Sequence, residues 1–329
     1  MTAVPNVADI EAASARIKPW AMETPLIENA DLNARTGGRV LLKLETLQRT
    51  GSFKFRGACN RILRIPEADR KNGVVAFSSG NHAQGVAAVA ALLGIPATIV
   101  MPADAPKAKI EGTRSYGAEI VNYDRYTDDR EAIAAEIVSA RGATLIKPFD
   151  DPAIVTGQGT VGLELAAQAA ARDATPGAVF VPCSGGGLVT GIALALSQYS
   201  PTTRTIAVEP EDYDGMRRSY ESGQRVAANA KAGSLADSLM SPIPGATPFA
   251  LAKTYLRGAI TVNDEDIARA VSYAFRHLKL VVEPGGAAGL AAVLRDAAQL
   301  RGQTIAVVLS GGNCDLEMTE LCRARFPVP

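Results

Sequence analysis

Residues 178–196 have the sequence AVFVPCSGGGLVTGIALAL, and this stretch decides the fold class. The apolar run 178–181 is typical of a buried strand, and Ser184–Leu188 follows it and opens a helix. Because glycine lacks a Cβ atom, the backbone of this loop can approach an anion closely, and a helix N-terminus favours phosphate. The loop lacks the Lys-Ser/Thr pair of a P-loop, which disfavours ATP hydrolysis. The alternative to a phosphate site is a flexible turn.

Apolar runs alternate with Ala-rich helical segments along the rest of the chain. Fully apolar strands alternating with helices predict an α/β fold, in which a sheet is buried on both faces. The predicted strands are 40–44, 74–77, 97–101, 119–123, 144–146, 178–181, 205–208, 260–262, 279–282 and 304–309. The predicted helices include 84–93, 106–116, 128–140, 161–171, 264–277 and 287–298.

Five predicted strands end at turn-forming or polar residues: 78–82, 183–187, 209–210, 283–286 and 310–313. In open α/β sheets, ligands bind beyond the carboxyl ends of the strands. Any one of these loops is explained by turn chemistry alone. The set together predicts one shared site.

Composition excludes several classes of protein. The 329 residues are 47% apolar and 21% charged, which predicts a sizeable core rather than disorder. The 34 basic and 34 acidic residues cancel, which argues against a nucleic-acid or anionic-membrane partner. The four cysteines form no CxxC pair, so we expect neither a disulfide framework nor a thiolate zinc site.

No segment of the sequence is typical of a membrane span or a signal peptide. The most apolar stretch, 86–101, is shorter than the ~20 residues that a membrane helix needs. The first 13 residues contain no apolar core of the kind that signal peptides have. We therefore expect a soluble protein of the cytoplasm, a reducing compartment.

Two further motifs point in different directions. Residues 157–162, GQGTVG, match GxGxxG, but no clear strand precedes them and no acidic residue follows at the right distance. We interpret them as a tight helix start. Residues 52–57, SFKFRG, place Lys54 between two aromatic residues, and apolar surroundings make a lysine a better nucleophile toward a carbonyl. The alternative is an ordinary surface lysine.

Four motifs, taken in order, resemble the serine/threonine dehydratase and serine racemase family: 52–57, 78–85, 184–188 and 310–313. Members of that family are pyridoxal-phosphate (PLP) enzymes of fold type II, the tryptophan synthase β-like fold. The resemblance implies two open twisted α/β domains with the cofactor between them. The large cofactor-binding domain would comprise 1–74 and 150–329, and the small substrate-loop domain 75–149. It also implies a homodimer. Because the chain ends soon after the last motif, we expect no C-terminal regulatory domain, which favours amino-acid catabolism.

The resemblance assigns the cofactor contacts residue by residue. Lys54 would carry PLP covalently and, once freed, would take the Cα proton of the substrate. Ser310 would meet the pyridine nitrogen, and its neutral hydroxyl favours elimination over transamination. Asn81 would hydrogen-bond the ring hydroxyl, and Phe53 would pack beside the ring. The other implied cofactor-binding residues are Ser184, Gly185, Gly186, Gly187 and Leu188, which would hold the phosphate, and Glu283 near the ring.

The implied substrate-binding loop is Ser78, Ser79, Gly80, Asn81 and His82, whose backbone N–H groups would hold the substrate carboxylate. Ser79 is also the acid/base on the opposite cofactor face in serine racemases; the alternative is a turn residue. Arg130 lies at the family position for a cation that reaches a distal substrate group. We favour instead its pairing with a neighbouring carboxylate, Asp128, Asp129 or Glu131, on a solvated helix face.

Many members of the family bind a divalent cation through a glutamate after a strand and a carboxylate six residues later. Glu209 fits the first position, but residue 215 is glycine and Asp214 lies one residue early. A Mg²⁺ site at Glu209 and Asp214 therefore requires that Asp214 replace the missing ligand.

The sequence thus predicts PLP-dependent β-elimination of a β-hydroxy-L-amino acid, L-threonine or L-serine, to a 2-oxo acid and ammonia. The alternatives within the enzyme class are a serine racemase and a threo-3-hydroxyaspartate ammonia-lyase. A more distant alternative is a non-catalytic PLP or small-molecule-binding protein. A nucleotide-dependent dehydrogenase rests only on 157–162.

Overall fold

The computed structural model describes residues 4–325 except 79, 106, 125 and 231. The described residues form ten strands: β1 (Leu26–Glu28), β2 (Arg39–Leu44), β3 (Val74–Phe77), β4 (Ala97–Pro102), β5 (Glu119–Tyr123), β6 (Thr144–Leu145), β7 (Ala178–Pro182), β8 (Arg204–Pro210), β9 (Ala259–Val262) and β10 (Thr304–Leu309).

The same residues form fourteen α-helices: α1 (Val7–Ile17), α2 (Ala30–Thr36), α3 (Lys54–Leu63), α4 (Glu67–Arg70), α5 (Asn81–Leu93), α6 (Lys107–Arg114), α7 (Arg130–Arg141), α8 (Pro152–Ala170), α9 (Gly187–Tyr199), α10 (Gly215–Ser222), α11 (Ala246–Tyr255), α12 (Asp264–Tyr273), α13 (Pro284–Arg295) and α14 (Leu316–Arg325). In the described part of the chain, no helix combines the length and the apolar character needed to cross a membrane.

The larger sheet has the strand order β1-β2-β10-β7-β8-β9, in which only β1 runs antiparallel to its neighbour. Alternate residues of β10 pack into different cores. Val307 and Leu309 pack with residues of α12 and α13, whereas Ala306 and Val308 pack with residues of α8 and α9. The sheet is therefore buried on both faces, as predicted from its apolar strands.

The smaller sheet has the order β5-β4-β3-β6, and all of its strands are parallel. β3 is buried along its whole length. The polar loop after β3 leads into α5, so the first residues of α5 lie beyond the carboxyl end of this sheet.

The structure overturns two sequence-based predictions in particular. The predicted strand at 279–282 does not form: Lys279 is in the left-handed region with φ 60°, and Val281 is 51% exposed. The predicted helix start at 157 is also wrong, because α8 begins at Pro152. Asp151 caps this helix by accepting the N–H of Ala153 at 2.7 Å.

The glycines of 157–162 serve helix packing instead. A Cβ atom on Gly157 would lie 2.7 Å from the Cα of Gly57 in α3. A Cβ on Gly159 would lie 2.9 Å from the carbonyl oxygen of Gly191 in α9. Helix α8 therefore fixes the separation between the two helices that begin at Lys54 and at Gly187.

Candidate active site

A cavity of about 490 Å³ lies at the carboxyl ends of the strands of both sheets. Its lining includes most of the predicted site residues: Phe53, Lys54, Ser78, Gly80, Asn81, His82, Ser184, Gly185, Gly186, Gly187, Leu188, Glu283 and Ser310. Ser79, which was also predicted, lies outside the described residues. The structure therefore brings the motifs at 52–57, 78–82, 184–188 and 310 to one place.

Lys54 is the first residue of α3. Its Nζ donates to the Pro148 carbonyl oxygen at 2.9 Å and lies 5.2 Å from the centre of the Phe53 ring. Burial lowers the pKa of Lys54 to about 8, although the Glu283 carboxylate opposes this shift. A larger fraction of the amine is therefore neutral near neutral pH than in an ordinary lysine, which favours its action as a nucleophile or base.

Backbone contacts hold Lys54 against the end of β10. Ser52 forms an antiparallel bridge with Gly311, and the Phe53 N–H donates to the Ser310 carbonyl oxygen at 3.1 Å. Ser310 is buried and lines the cavity, so its position relative to Lys54 is set by main-chain hydrogen bonds.

The glycine loop forms a cradle that side chains would fill. A Cβ atom on Gly185 would lie 2.3 Å from the Phe149 ring, and Gly186 has φ 94°, which favours glycine. Helix α9 begins at Gly187 and has 13 residues, so its first N–H groups and its dipole favour an anion at the loop. With Lys54 in the same cavity, these residues fit a phosphate-bearing aldehyde cofactor.

Asn81 and Glu283 connect the two sheets across the cavity. The Nδ2 of Asn81, at the start of α5, donates to Oε1 of Glu283, which precedes α13. Burial raises the pKa of Glu283 to about 7, while the Lys109 ammonium and this hydrogen bond oppose the shift. Glu283 therefore exists in both protonation states near neutral pH.

His82 is a neutral side chain in this structure. Burial and the nearby Lys54 lower its pKa to about 3. Its Nε2 lies 2.8 Å from the Ile146 carbonyl oxygen, which can only accept, so Nε2 carries the proton. His82 thus ties the start of α5 to the end of β6.

Several cations surround the cavity mouth. The Arg130 guanidinium stacks 5.3 Å from the centre of the Phe77 ring, and Lys147 also lines the cavity. Within the described part of the chain, neither forms an ion pair with a carboxylate, so the pairing that we favoured for Arg130 is not observed. Lys109 of α6 contacts Asp237, which lies in the segment between β8 and β9 of the larger sheet.

The sequence analysis missed several residues that line the cavity, among them Lys109, Lys147 and Gln158. Lys147 follows strand β6, so the strand-end pattern used for the other loops would have indicated it. Gln158 accepts the Gly57 N–H at 3.1 Å, and its buried Nε2 has no partner among the described residues. No local signal marks Gln158, because its contact with Gly57 forms only when α8 packs against α3 in the folded chain.

Glu209 and Asp214 do not fit a Mg²⁺ site. The two carboxylate oxygens of Glu209 accept the N–H groups of Met216 at 2.9 Å and Arg217 at 2.8 Å. Asp214 pairs with the Arg217 guanidinium at 2.5 Å. Among the described residues, no group of three or more His, Cys, Asp or Glu is arranged to hold a metal. The structure therefore gives the magnesium prediction no support.

Comparisons with known proteins agree with this site. Residues 17–311 match the sequence model of a protein family that is described as "pyridoxal-phosphate dependent enzyme". An L-threo-3-hydroxyaspartate ammonia-lyase of Pseudomonas sp is 43% identical over 94% of this chain and 95% of its own length. A serine racemase of Schizosaccharomyces pombe is 39% identical over 95% of this chain and 96% of its own length. The crystal structure of a threonine deaminase from T.th. matches with a TM-score of 0.89 and 44% identity, covering 95% of this chain and 99% of that one.

Proposed function

Because the chain belongs to the family of pyridoxal-phosphate-dependent enzymes, we propose that it converts a β-hydroxy-L-amino acid to a 2-oxo acid and ammonia by β-elimination. The observation that carries this proposal is the meeting of Lys54, the glycine loop and Ser310 in one cavity. When bound, the cofactor supplies the carbonyl that joins an amine and the electron sink that makes the Cα proton acidic.

The glycine loop would hold the cofactor phosphate through its main-chain N–H groups, and the dipole of α9 would add to that attraction. Lys54 would make the covalent attachment, because its lowered pKa leaves more of the amine neutral than in an ordinary lysine. Ser310 would face the ring nitrogen with a hydroxyl rather than a carboxylate, which disfavours transamination.

Lys54 would also move the protons of the reaction. Its Nζ would take the Cα proton and return a proton to the β-hydroxyl, which then leaves as water. Glu283 would stabilise the ammonium form of Lys54 during this transfer, because its carboxylate already raises the pKa of Lys54. The N–H groups of 78–82 would hold the substrate carboxylate and so fix which Cα bond faces Lys54.

L-threonine and L-serine are the substrates that the sequence predicts, but the cations at the mouth favour a second candidate, L-threo-3-hydroxyaspartate. The Arg130 guanidinium and the Lys147 ammonium would pair with its distal carboxylate. The relative from Pseudomonas sp bears the name of that activity.

Release of 2-oxo acid and ammonia from L-threonine, L-serine, L-threo-3-hydroxyaspartate and 3-phenylserine tests the reaction and ranks the substrates. We expect Lys54→Ala to abolish both turnover and the visible absorbance of the lysine-bound cofactor. Turnover of none of these substrates by the cofactor-loaded chain would overturn the proposal.

Arg130→Ala tests the diacid candidate, with Arg141→Ala at the other end of α7 as the matched control. Arg141 pairs with Glu119 and lies away from the cavity, so its loss should leave the substrate ranking unchanged. We expect Arg130→Ala to lower kcat/KM for 3-hydroxyaspartate about 10-fold or more, with L-serine affected less. An equal loss for both substrates would remove Arg130 from this role.

Racemisation is the alternative activity, with Ser79 as the second acid/base. Chiral analysis of serine during turnover tests it. Formation of the D-isomer that is lost in Ser79→Ala would support it, and its absence from the wild-type reaction would exclude it.

We also propose the two-domain division at 75–149, a homodimer and a cytoplasmic location. Analytical ultracentrifugation of the loaded enzyme tests the dimer, and cell fractionation tests the location. Limited proteolysis that cuts the exposed segments before β3 and after β6, and leaves the fragment between them intact, would support the domain boundaries.

A further inference from the structure

A chain of side-chain hydrogen bonds connects the segment before Lys54 to Glu283. The Nδ2 of Asn313 donates to the Thr50 carbonyl oxygen at 2.8 Å and to Oδ1 of Asn81 at 2.7 Å. The Nδ2 of Asn81 then donates to Glu283. Asn313 lies in the loop after β10 and Asn81 follows β3, so these hydrogen bonds link the two sheets at the cavity.

The partners fix the orientation of each amide. A backbone carbonyl only accepts, so the Thr50 oxygen requires the nitrogen end of Asn313. Both hydrogens of that nitrogen are then used, and the second one requires the oxygen end of Asn81. The nitrogen end of Asn81 consequently faces Glu283 and keeps one N–H with no partner among the described residues. Asn81 lines the cavity.

The backbone segment at which this series of hydrogen bonds begins is held in an unfavourable conformation. Thr50 has φ 63° and Gly51 has φ 70°, and a β-branched residue rarely adopts positive φ. A Cβ on Gly51 would lie 2.6 Å from Oδ1 of Asn313, and the Gly51 carbonyl accepts the Gly312 N–H at 2.8 Å. This turn therefore aims the Thr50 carbonyl at Asn313 and leaves room for that side chain.

We propose that Asn313 is a positioning residue that determines which end of the Asn81 amide faces the cavity. With Asn313 in place, Asn81 offers an N–H donor to an oxygen acceptor of the bound cofactor or substrate. Without it, the Asn81 amide can turn over and present a carbonyl oxygen to that acceptor instead. The inference rests on the proposed function only in so far as the cavity binds the cofactor.

Comparison of Asn313→Asp with Asn313→Ala tests this role. Aspartate has the size of asparagine but cannot donate to Thr50 or to Asn81, so the nitrogen end of Asn81 should turn toward it. We expect Asn313→Asp to lower kcat about 10- to 100-fold, as removal of an orienting partner does. Asn313→Ala, which only removes the bias, should lower kcat less. A role in packing alone predicts the reverse order, because aspartate preserves the volume.

A pH titration of the visible absorbance of the bound cofactor provides a readout that needs no turnover. We expect a shifted midpoint in Asn313→Asp. An unshifted midpoint, or a milder effect of Asp than of Ala on kcat, would overturn the inference. If Asn313→Asp does not fold, the Ala variant decides: a shifted midpoint supports the inference, and an unshifted one overturns it. This titration also remains decisive if no substrate of the panel is turned over, so failure of the proposed function is distinguishable.

Asn60→Asp is the matched control. Asn60 lies on α3, and its Nδ2 also makes two donor bonds, to the Ala153 carbonyl at 2.6 Å and the Thr156 hydroxyl at 3.1 Å. It does not line the cavity. We expect this variant to lower the unfolding temperature of the cofactor-free chain while leaving the absorbance midpoint unchanged. A midpoint shift equal to that of Asn313→Asp would show that the effect is general and overturn the inference.

Discussion

Two Glu-Pro dipeptides, 209–210 and 283–284, have nearly the same local sequence and very different surroundings. Both glutamates are buried, and burial raises the pKa of Glu209 to about 8 and of Glu283 to about 7. Glu209 binds the N–H groups of Met216 and Arg217, close to it along the chain. Glu283 binds the Asn81 side chain from the other sheet. The glutamate with local backbone partners shapes a loop, and the one with distant side-chain partners belongs to the cavity.

The largest expected effect is on activity at the second of these sites. Glu283→Ala removes the acceptor of Asn81 and the carboxylate that stabilises the Lys54 ammonium. We expect kcat to fall about 100-fold, the lower range for loss of a group that assists proton transfer. Steady-state kinetics with the best substrate of the panel measure it. A change of less than about threefold would place Glu283 with Glu209 as a structural carboxylate.

The next effect is on stability at the first site. Glu209→Gln places an amide NH₂ against a backbone N–H at the start of α10, which leaves a buried donor without an acceptor. We expect the free energy of unfolding in urea to fall by about 2 kcal/mol. The kcat of the loaded enzyme should stay within about twofold of wild type, and a larger loss would contradict the contrast drawn between the two sites.

The pH dependence of stability sharpens the contrast further. Both glutamates have raised pKa values, so the folded chain binds more protons than the unfolded chain above the unfolded value of 4.5. The free energy of unfolding therefore decreases as pH rises above 4.5. This decrease ends near pH 7 for the contribution of Glu283 and near pH 8 for that of Glu209. Urea unfolding of wild type and Glu209→Gln from about pH 5 to 8 should show a flatter profile in the variant, and parallel profiles would contradict it.

The smallest expected effect comes from Lys109, which holds down the pKa of Glu283. Lys109→Met should raise the pKa of Glu283 further and shift the corresponding limb of the kcat profile upward by less than about one unit. The effect on stability should be below about 1 kcal/mol, because Asp237, its partner, is 50% exposed. A downward shift of the limb would show that Lys109 does not act on Glu283.

Much of the architecture was predictable because the strands are short apolar runs with marked ends. The predicted strands at 74–77, 119–123 and 304–309 have the observed bounds. The apolar run 279–282 misled the prediction because it has no strand neighbour among the described residues. The start of α8 was missed because its glycines lower helix propensity, whereas tertiary packing against α3 and α9 overrides that propensity.

The site was predictable as a set of loops and not as a network. The glycine loop and Ser310 are identified because each follows a strand, and Lys54 because it lies between two aromatic residues in a motif that resembles the family. The bond between Asn313 and Asn81 joins residues 232 positions apart, and only the fold brings them together. In the same way, the sequence cannot tell Glu209 from Glu283, because the difference lies in which partners arrive from elsewhere in the chain.

The close approach of α8 to α3 and α9 constrains how this enzyme can be re-engineered. A methyl group at Gly157 or Gly159 would overlap backbone atoms, so libraries that mutate these glycines of α8 will mostly yield chains that lose their cofactor or do not fold. Arg130 and Lys147 are exposed residues at the mouth of the cavity, where Arg130 contacts the core only through the Phe77 ring. Selection for new substrates should therefore start at these two residues of the cavity mouth, where substitutions lower the stability of the fold least.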